Sequence, residues 1–251
     1  MQVTVLGKSP SWQDAAGACS GYLIQHDGFT LLLDCGNGVF AKLRSVVDYA
    51  AVDAVLISHL HADHFFDIVP YSFALSYGLR SEPPSPALHA PPGAVERFAA
   101  IGGSLGDKTL ISGAFTLREY DPAAPLTLGP LRVRFCEVPH YVLTHAVRIS
   151  APGSGDFTFG ADCRPNEALP AFASGTELMF IEATLREPET FGTRGHLTAR
   201  EAGEQGRAAA AQRLVLTHFS DELDRDWVRA EGSAGYGAEV ALAGEGAIYE
   251  L

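Results

Sequence analysis

His59-Leu60-His61-Ala62-Asp63-His64 constrains this chain more than any other segment. Three imidazoles and a carboxylate follow directly on the apolar run 52–58, which reads as a short buried strand. The cluster therefore stands at a strand end. So many polar groups are costly to bury unless each finds a partner. Neutral imidazole nitrogens and carboxylate oxygens together suit a divalent metal such as zinc. One strand end cannot wrap four such neighbours around a single tetrahedral ion. With His59 and His61 facing one way and Asp63 and His64 the other, the motif predicts two ions side by side.

The rest of the chain predicts where further ligands come from. Apolar patterning places strands over 2–6, 21–25, 29–33, 52–58, 131–138, 145–149, 157–160, 178–181 and 213–216, with an edge strand over 247–251. Helices are predicted over 39–49, 68–77, 94–101 and 199–211, the last with Thr198 and Glu201 set as a capping box. Residues 81–86 form a proline-rich loop, and Pro152-Gly153-Ser154-Gly155 turns a hairpin. Two runs of strands with interspersed helices predict an α/β fold in four layers, an α/β/β/α sandwich, with residues 1–251 as one domain.

Asp34, His140, Asp162 and His218 also fall at strand ends, where such scaffolds present ligands to one cleft. His59, His61 and His140 can serve one ion; Asp63, His64 and His218 can serve the other, with Asp162 bridging them. His140 is preferred to His145 because it ends a strand, whereas His145 begins one. His26, His89 and His145 are read as structural. Asp34 either orients a ligand imidazole through its second ring nitrogen or caps its turn.

Composition narrows the setting. Cys19, Cys35, Cys136 and Cys163 are scattered, which reads as reduced thiols in a cytoplasmic protein, with Cys163 close to the predicted site. No stretch approaches the roughly 18 apolar residues of a membrane span, and the N-terminus enters a strand pattern without the basic region of a signal peptide. The net charge of −12 argues against a broad surface for nucleic acid. It leaves a local cationic site open, since bound cations dominate their surroundings.

The ordered set His-x-His-x-Asp-His, lone His, lone Asp, final His resembles the metallo-β-lactamase superfamily over essentially the whole chain. One departure is Asp67, where many members carry glycine at a position that supports the loop and binds no metal. Within the superfamily the chain is similar to the ribonuclease Z-like phosphodiesterases. Leu33-Asp34-Cys35-Gly36, Phe180-Ile181-Glu182-Ala183-Thr184 and Gly195-His196-Leu197-Thr198 carry that likeness. The zinc-ligating cysteine of the β-lactamase branch has no clear counterpart here.

The resemblance implies a catalytic His196 held by Glu182, with Asp63 in the catalytic set as well as among the ligands. True ribonuclease Z inserts a long arm between the third-motif histidine and the bridging aspartate, where this chain has a hairpin. In compact length, the Ser20-Gly21-Tyr22-Leu23 opening and Asp67 it resembles a group of bacterial cyclic-nucleotide phosphodiesterases.

The expectation is a hydrolase with two Zn2+ per chain, cleaving small phosphodiesters such as cyclic nucleotides by hydroxide formed at the ions. Manganese and iron suit the same ligands. The alternatives are a tRNA 3′-processing endoribonuclease, an ester, lactone or sulfate hydrolase, and a non-catalytic metal-binding interaction module. The expected partner is a small phosphodiester before RNA, with no membrane; a homodimer is compatible with the chain.

Overall fold

The computed structural model describes residues 1–79 and 84–251. Among the described residues, fourteen strands form two seven-stranded sheets. The first contains β1 (Gln2–Gly7), β2 (Gly21–His26), β3 (Phe29–Leu33), β4 (Ala54–Leu56), β5 (Ala87–Ala90) and β6 (Thr116–Glu119). The second contains β7 (Leu126–Leu128), β8 (Leu131–Val138), β9 (Thr144–Ser150), β10 (Phe157–Phe159), β11 (Leu178–Glu182), β12 (Arg213–Thr217) and β13 (Ala241–Leu242). β14 (Ile248–Glu250) returns to pair with β1, on the edge of the first sheet as the sequence predicts. Each sheet begins as an antiparallel meander and continues as parallel strands, β3 to β6 in one and β10 to β13 in the other.

Helices α1 (Val39–Val46), α2 (Ala62–Phe65), α3 (Ile68–Tyr77), α4 (Ala94–Ser104) and α5 (Leu110–Ala114) belong to the first half. α6 (Ala168–Phe172), α7 (Ala199–Ala208) and α8 (Arg225–Tyr236) belong to the second. The alternation of side chains along β3 decides the layering. Leu31 and Leu33 enter the core between the sheets with Tyr22, Phe157, Phe159 and Phe180. Leu32 faces the helices with Leu43, Tyr71 and Phe98. A strand covered on both faces must be apolar throughout, which is why β3 reads as a continuous run. Each large side chain fully buried here contributes about 1.5–3 kcal/mol. A third core joins the outer face of the second sheet to α6, α7 and α8. The four-layer α/β/β/α sandwich is thus the observed architecture.

Several boundaries differ from the sequence reading. The 52–58 run is strand only over Ala54–Leu56. α1 ends at Val46, and Asp48 then caps a separate turn through the Ala50 amide. α7 begins with the predicted capping box of Thr198 and Glu201. α8, β5, β6, β7 and β13 lie where no element was expected. In the proline-rich stretch, 81–83 fall outside the described residues. Among the described residues, no helix is long and apolar enough to cross a membrane.

Candidate metal centre

The site forms where strand ends of the two sheets meet. β4 leads into His59, α2 carries Asp63 and His64, β8 leads into His140, β10 into Asp162, and β12 into His218. Three residues leave their strands in the left-handed region: Asp34 at φ 58°, Ala161 at φ 51° and His218 at φ 54°. Non-glycine residues held there are strained, and such strain gathers at functional sites. Gly36 explains the Asp-Cys-Gly turn, since a Cβ on it would lie 1.8 Å from the Asp63 carbonyl oxygen. That close approach lets the Cys35 amide bond the His64 carbonyl at 2.7 Å, fastening the β3 turn to the histidine loop. Asp67 accepts from the Phe40 amide at 2.9 Å and supports the start of α1.

Two ligand-competent groups share Asp162: His59, His61, His140 and Asp162, and Asp63, His64, Asp162 and His218. In the second, His64 Nε2 lies 3.3 Å from His218 Nε2, 3.5 Å from Asp63 Oδ2 and 3.4 Å from Asp162 Oδ2. His218 Nε2 lies 3.2 Å from Asp63 Oδ2 and 3.3 Å from Asp162 Oδ2. A tetrahedron with metal–ligand bonds of about 2.0–2.1 Å has edges of about 3.3–3.4 Å, so these five distances fit one ion. In the first group, His61 Nδ1 and His140 Nε2 are 3.0 Å apart, while Asp162 Oδ2 stands 3.9 Å from His59 Nε2 and 3.8 Å from His140 Nε2. His59 Nε2 and Asp162 Oδ1 are buried without a hydrogen-bond partner among the described residues. A buried polar atom left unpaired is costly, and a cation at each group suits both atoms. The donor set therefore fits a pair of divalent ions.

The outer nitrogens fix the tautomers. His64 Nδ1–H donates to Asp34 Oδ2 at 2.7 Å, which gives Asp34 the orienting role. Ser58 donates its amide and hydroxyl to Asp34 at 2.7 and 2.8 Å, so its oxygen accepts from His59 Nδ1–H at 3.1 Å. His140 Nδ1–H donates to the Gly195 carbonyl at 2.8 Å. His218 Nδ1–H donates to Thr184 Oγ1 at 2.9 Å, and Thr184 donates to Glu182 Oε2 at 2.6 Å. Ser58, Thr184 and Gly195 were not singled out from the sequence. Thr184 and Gly195 lie inside the quoted motifs, and Ser58 directly precedes the cluster.

Glu182 is buried and also receives His196 Nδ1–H at 3.0 Å, the Cys163 amide at 2.7 Å and the Leu197 amide at 3.2 Å. His196 stacks at 5.7 Å from His218, beside the second group. Of the expected catalytic set, Glu182 bonds His196 directly, and His218 stands between His196 and Asp63. His145 lies apart, its Nδ1 3.1 Å from the Tyr120 hydroxyl.

The electrostatics separate the groups. Burial holds His59 well below the ordinary imidazole range, with the His64 ring adding to the effect. Burial also lowers His61 and His140. These rings are therefore neutral, as ligands must be. Burial works the same way on His64, but the carboxylates of Asp162, Asp63 and Asp34 outweigh it and hold His64 well above that range. Asp63 is lowered to about 2, because His64 and His218 overcome the effect of burial. Burial disfavours protonated His196 too, yet Glu182 raises it to about 9.

Comparison with known proteins identifies the family. The Beta-lactamase superfamily domain profile matches residues 29–219. A probable metallo-hydrolase of Bacillus subtilis, YhfI, is 32% identical over 253 residues, covering 100% of both chains. A crystal structure of YhfI, described as a metallo-beta-lactamase fold protein, covers 99% of this chain and 98% of its own at TM-score 0.87 and 31% identity. Ribonuclease Z of Halorubrum lacusprofundi is 25% identical over 308 residues, covering 100% of this chain and 97% of that one. A diphosphatase of the PhnP family shares the fold at TM-score 0.76 and 18% identity, over 100% of this chain and 97% of that one. The family match over the strands that carry the ligands, and the full-length likeness to YhfI, place this chain in the beta-lactamase superfamily as a metallo-hydrolase.

Proposed function

We propose that the chain is a dinuclear, metal-dependent phosphodiesterase acting on small phosphodiesters such as cyclic nucleotides. The observation that carries this reading is the Glu182–His196 pair beside the shared ligand cluster, with His196 Nδ1 held at 3.0 Å from Glu182. A site that only binds metal has no use for a half-buried proton donor next to it. Two divalent cations, zinc in the first instance, would supply Lewis-acid charge to the phosphoryl oxygens and acidify a water.

The chain's own residues do the rest. His59, His61 and His140 would hold one ion and Asp63, His64 and His218 the other, with Asp162 shared. Asp63 and Asp162 offset two of the four positive charges that two such ions bring, so the cleft draws an anion despite the net charge of −12. Glu182 fixes the ring of His196 and keeps it protonated at neutral pH, with Nε2 free to give a proton to the departing alkoxide. Such a general acid contributes about 10²–10⁴ in rate.

The likeness to ribonuclease Z supports a second reading, RNA 3′-end processing. The short path between His140 and Asp162 favours the smaller substrate, because only β9, β10 and their turn occupy it. A metal-loaded assay of cyclic nucleotides, an aryl diester, precursor tRNA, and carboxylic ester and lactone substrates tests both. Turnover of cyclic nucleotides above the other classes is expected. Hydrolysis of the ester or lactone alone would overturn the reading.

A further inference from the structure

Tyr141 follows His140 directly and is 46% exposed, unlike the buried groups around it. Its ring centroid lies 4.8 Å from His140, 5.7 Å from His196 and 6.4 Å from His61. It therefore borders both a ligand group and the proton donor. The ring is also fixed. It lies against Gly195, where a Cβ would come within 2.3 Å of ring Cε2. Its hydroxyl donates to Glu189 Oε1 at 2.7 Å, and the Gly195 amide donates to Glu189 Oε2 at 3.0 Å. One carboxylate thus closes a loop between the ring and the backbone it rests on. That backbone is anchored in turn by the His140 bond to the Gly195 carbonyl.

An open aromatic surface is common on proteins. One pinned at its hydroxyl and packed at its back, a few ångströms from three site imidazoles, is prepared for a flat partner. A rigid ring loses little conformational freedom on stacking, so most of the stacking energy goes into affinity.

We propose that Tyr141 is a specificity residue whose ring stacks the nucleobase of a nucleotide-bearing phosphodiester. This rests on the phosphodiesterase reading and names its substrate class. The base follows from the geometry. With the phosphate at the ligand cluster, the tyrosine ring would be the aromatic surface beside it, 4.8 Å from His140, and every nucleobase offers a π-face. No base-specific donor or acceptor is needed, so purines and pyrimidines are both accepted.

Two measurements test it on the metal-loaded protein, comparing wild type with Tyr141→Leu and Tyr141→Phe. The first is calorimetric binding of AMP and of ribose 5-phosphate. Wild type should bind AMP more tightly by about 5- to 100-fold, as expected of one stacked base. Tyr141→Leu should bring the ratio towards one, and Tyr141→Phe should keep most of it. The second compares adenosine 3′,5′-cyclic phosphate with the analogue carrying methoxy in place of the base. The preference should collapse in Tyr141→Leu through KM more than kcat.

Equal binding of the two monophosphates by wild type would overturn the proposal, as would equal losses on both ligands in Tyr141→Leu. A wild type that prefers AMP yet cleaves no diester would sink the phosphodiesterase reading and leave the stacking platform standing. A precursor tRNA arm identifies the source of the base. A Tyr141→Leu loss on the cyclic nucleotide supports a mononucleotide, and a loss on the RNA alone supports an RNA end; both place a base on the ring.

Discussion

His218 and His64 lie 3.3 and 3.4 Å from Asp162, and both lie within 3.5 Å of Asp63. His59 and His140 stand farther from Asp162, at 3.9 and 3.8 Å, with His61 3.0 Å from His140. Support behind the ligands differs as well. His64 leans on a buried carboxylate, and His218 reaches another through Thr184. His59 and His140 rest on a hydroxyl and a backbone carbonyl. The first trio brings a carboxylate of its own, and the second shares only Asp162. A carboxylate behind an imidazole raises its basicity as a ligand. The two places are therefore neighbours of unequal strength: a tighter one with a carboxylate of its own, and a looser one of imidazoles beside Tyr141, with the His196 ring near both, 5.7 Å from His218 and 4.8 Å from His140.

The shared aspartate is the most direct way to break the comparison. Asp162→Ala should abolish most activity and reduce the protein to one ion or none, a larger effect than the roughly 10- to 100-fold typical of losing an outer partner. Elemental analysis alongside the diester assay checks it, and full activity with two ions retained would refute the bridge. Next in size, His196→Ala should slow an alkyl diester by roughly 10²–10⁴ and a nitrophenyl diester far less, with metal content unchanged. An equal fall on both substrates would give His196 a binding role instead.

Asp34→Asn should weaken the place holding His64 by about 10- to 100-fold and the other less, because Asp34 reaches His59 only through the Ser58 hydroxyl; a metal titration would read this as two separated steps. A uniform loss would show that the two places do not differ in their outer support. The smallest effect is in pH. His64 is held protonated by its three carboxylates, so a cation taking its Nε2 must displace a proton. Apparent affinity there should fall by about tenfold per pH unit on acidification below the raised pKa. The place formed by His59, His61 and His140 should stay flat over the same range, because those rings are already neutral. Parallel pH slopes would erase the contrast.

Much of the site was legible because its chemistry is local. His59 to His64 lie in one stretch, and His140, Asp162 and His218 each follow a strand legible in the sequence. The four layers followed from two runs of strands with interspersed helices, and the unbroken Leu31-Leu32-Leu33 of β3, covered on both faces, agrees with them. What escaped was built from small residues or from backbone. α8 buries Val228, Gly232 and Gly235 and shows no stripe of large apolar side chains. It packs on α7 by close approach, since a Cβ on Gly203 would meet the Gly232 carbonyl at 2.1 Å. Hydrophobic periodicity cannot register a face made of glycine. The short strands β5 and β6 owe their place to neighbours rather than to their own pattern. Tyr141 escaped because an aromatic beside a histidine carries no motif; only the folded contacts with Gly195 and Glu189 single it out.

The candidate ligands come from both sheets: His59, His61, Asp63 and His64 from the first half, His140, Asp162 and His218 from the second. Each ion would then act as a cross-link between two bodies otherwise joined mainly by an apolar seam. Its binding energy would be shared with the docking of the halves, and occupancy would raise the melting temperature by mass action. Chelation would loosen the molecule at its waist, so metal uptake would report on assembly of the fold as much as on readiness for catalysis.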